Sequence, residues 1–135
     1  IPEDLPDAAT LLVAANRLVQ IPEAAEREEA LQTLFKLVHG VLANPEDTKK
    51  RRVKKANETF HRKVGRFDAG LDFLRGCGFV DVDDAGEGAL LSMSTAYLVR
   101  LTDAHHTLAK AAADAGMAVP PLPGASGGFN PYQSS

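Results

Sequence analysis

The chain has 135 residues, 44% apolar and 24% charged, with a formal net charge of −3. That is enough for one domain with its own core, and ordinary for a soluble globular protein. One cysteine excludes a disulfide scaffold, no apolar run reaches the ~18–20 residues of a membrane span, and a pI near 5.8 argues against a generally basic nucleic-acid binder.

Residues 1–7 are acidic, carry two prolines and do not resemble a signal peptide. The lack of an initial Met suggests a piece of a longer protein. Asp7 suits a helix N-cap. Leu11, Leu12, Ala15, Leu18 and Val19 then recur at helical spacing, which predicts a helix from Ala8 to about Gln20. Pro22 ends it and suits the first turn of a second helix. That helix runs to about Leu42 with Leu31, Leu34, Phe35, Val38 and Leu42 on its apolar face. Ala43-Asn44-Pro45 reads as a turn.

A third helix is expected to start at Glu46 or Asp47 and run through Lys49-Lys50-Arg51-Arg52-Val53-Lys54-Lys55. Val53, Ala56 and Phe60 make a single apolar stripe on it. Asp68 then caps a short helix from Ala69 to Gly76. From Phe79 to Asp83 the pattern alternates apolar and acidic, which predicts a half-buried strand. Ala89–Met93 gives a second strand, closing a hairpin that must pack on the helices. A last helix is expected from about Thr95 to Ala115, stopped by Gly116. Residues 117–135, rich in Pro, Gly and Ser, read as a tail or linker. The fold class is therefore mostly helical α+β: about five helices and a small antiparallel hairpin or sheet before the last one. Residues 1–116 are the domain.

Charge is unevenly placed. Positions 49–66 hold nine of the 15 Lys/Arg and only one carboxylate, Glu58. This +8 segment sits in a remainder of −11. It reads as a solvated helix face, as a nucleic-acid or nuclear-targeting patch, or as a docking surface for an acidic peptide. The absence of interleaved aromatics disfavours nucleic acid.

Other patterns lack the context their chemistry needs. Gly124-Ala125-Ser126-Gly127-Gly128 spells a nucleophile elbow but lies in the tail, with no strand before it. Asp81-x-Asp83-x-Ala85-Gly86 starts like a calcium loop, yet Ser92 stands where a bidentate Glu is required. His39, His61, His105 and His106 show no ligand spacing. Cys77 follows a helix end and reads as a small buried apolar residue. No enzyme, cofactor or metal is expected.

The order of the pieces resembles the PUB domain family over roughly residues 8–115. The resemblance rests on Leu31-Gln32-Thr33-Leu34, Val41-Leu42-Ala43-Asn44-Pro45, the basic segment with Val53, Asn57 and Phe60, Phe73-Leu74, and Gly78-Phe79 entering the hairpin. It implies a noncatalytic docking module that binds the acidic, aromatic-containing C-terminal tail of the AAA+ ATPase valosin-containing protein, or a similar peptide. Asn57 matches the family's groove asparagine, which hydrogen-bonds the peptide backbone. Gly78-Phe79 matches one wall of its aromatic pocket. Lys50, Lys54 and Gly40 stand where the family has Tyr, Arg and Asn; Lys54 keeps the charge but not the planar fork. The implied peptide-binding residues are Lys50, Lys54, Asn57, Gly78, Phe79 and Gly40. A cytoplasmic or nuclear monomer is expected. The alternative is a PUB fold without that ligand, serving as a structural or self-docking module whose Phe129 and Tyr132 occupy a groove.

Overall fold

A computed structural model describes residues 7–86, 88–117 and 119. The elements are α1 (Ala9–Leu18), α2 (Ala24–Ala43), a 3₁₀ turn (Thr48–Arg51), β1 (Arg52–Lys54), α3 (Glu58–Phe60) running into a π-helical turn (His61–Gly65), α4 (Asp68–Cys77), β2 (Val80–Asp84), β3 (Gly88–Ser92) and α5 (Leu98–Asp114). No helix among them is long and apolar enough to cross a membrane.

Four helices follow the apolar periodicity. In α2, Leu31, Leu34 and Val38 are fully buried, and Phe35 and Val41 are buried with them. α1 packs on α4 and α5, and α2 packs on α5 and the π turn. Leu11 and Leu18 of α1, Phe73 and Leu74 of α4, and Leu101 and Leu108 of α5 close a single core. Burying one such leucine contributes about 1.5–3 kcal/mol, so these positions dominate stability. Asp7 acts as expected: its carboxylate accepts a hydrogen bond from the Ala9 amide at 2.9 Å. Asp68 does not act as a cap. It is the first residue of α4, after Phe67, where its charge still suits the helix N-terminus.

The α4 terminus is built around Gly78, at φ 120°, a conformation other residues rarely adopt. The Gly78 amide bonds back to Arg75 O and the Phe79 amide to Leu74 O, both at 3.1 Å. This hydrogen-bond pair satisfies the last carbonyls and turns the next apolar residue inward. Phe79 is accordingly 1% exposed. The end of α5 repeats the arrangement at Gly116, with Met117 bonded to Ala112 O.

The third helix expected through the basic run does not form. The chain instead makes one 3₁₀ turn, capped by the Asp47 carboxylate on the Lys49 amide, and then a three-residue strand. β1 pairs antiparallel with β3 (Val53 opposite Leu91), and β2 pairs with β3 on the other side, giving strand order β1-β3-β2. Val53 enters the core as a strand residue beside Leu91. Ala56, expected on the same stripe, is exposed. β-branched Val53 packs well on a pleated surface, and the strand partner overrides the weak helical pattern of a lysine-rich stretch.

The hairpin spans 80–84 and 88–92. β2 is less buried than its alternation implied: Val80 is 53% and Val82 39% exposed. An ion-pair chain fastens the sheet to the helices. Lys55 Nζ lies 2.8 Å from Asp81, whose other oxygen accepts from Arg75 Nε at 3.0 Å. Arg75 also reaches Asp72, and Asp72 reaches Arg17 of α1 at 3.2 Å. The hydrogen bonds from Arg75 and then Lys55 hold the Asp81 carboxyl below its usual range.

Two histidines unremarkable in sequence meet across the helices. His39 Nε2 of α2 and His105 Nδ1 of α5 are 2.9 Å apart, with Phe35 packed against both rings. Burial lowers the pKa of His39. It pushes His105 down to about 4, with smaller contributions from the charges of His39 and His106. At neutral pH both rings are uncharged, so one nitrogen donates and the other accepts.

Candidate functional site

The basic segment divides into two halves. In the π turn and just after it, Arg62 and Lys63 face Glu29 at 3.5 and 3.9 Å, and Arg66 faces Glu26 at 3.3 Å. Arg66 also stacks its guanidinium over the Phe67 ring at 4.5 Å. This half lies against α2 and its charge is largely answered. In the other half, Arg51 donates to the Pro45 carbonyl at 2.9 Å and Lys55 is held by Asp81. Lys49, Lys50 and Lys54 are exposed and have no carboxylate partner among the described residues.

The six residues singled out from sequence fall into three groups. Gly40, in the last turn of α2, lies beside Lys50 of the 3₁₀ turn: a Cβ built on Gly40 would sit 3.5 Å from Lys50 Cδ. The glycine therefore makes a notch along which the lysine stem lies. Lys54 ends β1 opposite Leu90, and its carbonyl accepts from the Asn57 amide at 3.1 Å. Asn57 caps α3, its Oδ1 accepting from the Phe60 amide at 3.0 Å. Its Nδ2 donors are exposed and have no protein partner among the described residues. Lys50, Lys54 and Asn57 are thus consecutive on a turn, a strand and a cap, not one face of a helix. Gly78 and Phe79 lead into β2, and β3 lies between that strand and β1. That puts them more than two strand spacings, ~10 Å, from Lys54. The Phe79 ring belongs to the core.

Two surface cavities are present elsewhere. One of about 320 Å³ is lined by Glu26, Glu29, Gln32, Lys36 and Lys63. One of about 270 Å³ lies between α1 and α5, lined by Leu12, Asn16, His106 and Lys110 among others. Neither includes any of the six residues. The arrangement around Lys50 can offer positive charge, two amide donors and lysine stems, which suits a carboxylate-bearing chain laid on the surface. No cluster of three or more His, Cys, Asp or Glu able to hold a metal occurs among the described residues. Cys77 is fully buried and burial pushes its thiol pKa well up, so it is no nucleophile. Sequence reasoning missed Lys49 as a member of the unpaired set; only the spatial partners of its neighbours distinguish it.

None of the curated proteins compared with the chain matches it. The family comparison gives a match to the PUB domain over residues 24–106. That span opens at α2, takes in all six candidate residues, and ends within α5. It covers more than half of the chain, and with the helical body and small sheet described above it makes the chain a member of the PUB domain family and a protein-interaction module.

Proposed function

We propose that this domain docks an acidic C-terminal peptide carrying an aromatic residue near its end, such as the tail of valosin-containing protein, on the surface formed by Gly40, Lys50, Lys54 and Asn57. The observation that supports this is the set of exposed lysines, Lys49, Lys50 and Lys54, left without carboxylate partners in a PUB domain whose basic residues at 62, 63 and 66 are paired with α2. Lys49, Lys50 and Lys54 attract and orient the peptide's carboxylates, and the Asn57 amide donates to its backbone. Gly78 and Phe79 act from behind, by fixing the sheet that carries β1. The role is noncatalytic.

The magnitudes constrain the ligand. Exposed lysine–carboxylate pairs contribute about 0.2–1 kcal/mol each. Three of them fall well short of the ~8 kcal/mol of micromolar binding. The aromatic side chain and the backbone hydrogen bonds must supply the rest. Titrating the domain with such a peptide, followed by amide NMR, tests this. The expected result is about micromolar affinity that weakens with salt, with shifts centred on Lys50, Lys54 and Asn57. No shifts there at millimolar peptide would overturn it. The self-docking alternative rests on Phe129 and Tyr132, which lie outside the described residues.

A further inference from the structure

The sheet has a second open edge, of opposite charge. β3 turns the backbone groups of Met93 and Ala89 toward β1, since Met93 N donates to Arg51 O and Lys55 N donates to Ala89 O. By the alternation of an antiparallel ladder, Leu90 and Ser92 face β2 and bond with their partners Val82 and Val80. Asp81 and Asp83 therefore direct their backbone N–H and C=O away from the sheet. No other segment among the described residues bonds to them. β2 packs on β3, and four of its five residues are exposed.

Its two faces differ. Val80 and Val82 lie on the outer face and flank the buried Leu90. On the other face Asp81 is already held by Lys55 and Arg75. Asp83 is exposed and has no partner among the described residues. A strand added at this edge would set apolar residues beside Val80 and Val82, and one side chain opposite Asp83. A second copy of this chain is a poor occupant, because antiparallel pairing about Val82 places Asp81 opposite Asp83, and like charges facing across a ladder destabilise it.

We infer that the free edge of β2 accepts an extended segment of a partner protein that carries a basic residue opposite Asp83 and apolar residues one and three positions from it, beside Val82 and Val80. Main-chain hydrogen bonds to Asp81 and Asp83 provide the attachment and the alternating side chains provide the selection. The site is separate from the lysine surface, lies across β3 from it, and rests on no part of the docking proposed above.

The probe is the acetylated, amidated peptide Val-Thr-Val-Lys-Val-Thr-Val, which reads the same in both directions. The readout is amide hydrogen exchange. The Asp81 and Asp83 amides gain at least about tenfold protection on binding, whereas those of Val80 and Val82, already bonded to β3, change little. A fully N-methylated peptide with the same side chains gives no protection. In the chain itself, Asp83→Pro removes an outward N–H without touching the β3 ladder, and it abolishes binding while the circular dichroism stays native. If that variant does not fold, the methylated peptide still decides. Equal binding of both peptides means charge alone and overturns the proposal. So does the absence of added protection at millimolar peptide, or protection that rises with protein concentration alone, which would identify a second copy as the occupant.

Discussion

Lys50 and Lys63 belong to one basic stretch and differ in what faces them. Lys63 and its neighbours Arg62 and Arg66 lie against the glutamates of α2. Lys50, with Lys49 and Lys54, projects from a turn and a strand edge that no carboxylate of the described residues reaches. The difference shows that charge density along a sequence does not define a docking surface. What matters is the charge left after the fold has made its own pairs. Helical packing answers the 62–66 half, and the sheet exposes the other.

The largest expected effect tests the scaffold behind the open half. Phe79→Ala should cost about 3–5 kcal/mol, read as a lower urea midpoint; a loss under about 1 kcal/mol would mean the Gly78–Phe79 corner does not anchor the sheet. Next, reversing Lys50 and Lys54 together to Glu should weaken an acidic C-terminal peptide at least tenfold, about 1.4 kcal/mol. The same reversal at Lys63 and Arg66 should change affinity less than about twofold, because only the first pair lies on the proposed surface. Comparable losses in the two calorimetric titrations would erase the distinction between the halves. Asn57→Ala removes the cap on α3 and should lower stability by about 1 kcal/mol, and it also removes the amide donors. Asn57→Asp keeps the cap oxygen. Chemical denaturation beside peptide titration of both variants separates the two roles. The smallest effect is Glu29→Gln. It releases Arg62 and Lys63 from an exposed pair and should move stability by less than about 0.5 kcal/mol. A measurable gain in binding of acidic peptides would then show the paired half to be a latent copy of the open one.

The helices were legible because each offers enough apolar positions for a 3.6-residue period to emerge, as Leu31, Leu34, Phe35 and Val38 do in α2. β1 was not. A strand of three residues with a single core side chain, Val53, has no alternation to count, and only its partner Leu91 on β3 identifies it. β2 shows the opposite failure. Its alternation is clear, yet Val80 and Val82 stay 53% and 39% exposed although Leu90 beside them is buried. The candidate site was legible as a set of residues and not as an arrangement. The contact between Gly40 and Lys50 and the turn joining Lys54 to Asn57 depend on how α2, β1 and α3 meet. The His39–His105 hydrogen bond joins positions 66 residues apart, beyond any spacing argument.

Cys77 carries one more consequence. It is the chain's one cysteine, fully buried at the end of α4, next to the Gly78 corner. A thiol reagent can reach it only when α4 lifts from α1 or the whole domain opens. The protein therefore contains its own stopwatch. The rate at which native Cys77 is alkylated measures how often this corner comes apart, and a ligand that clamps the sheet should slow that rate without any label being introduced.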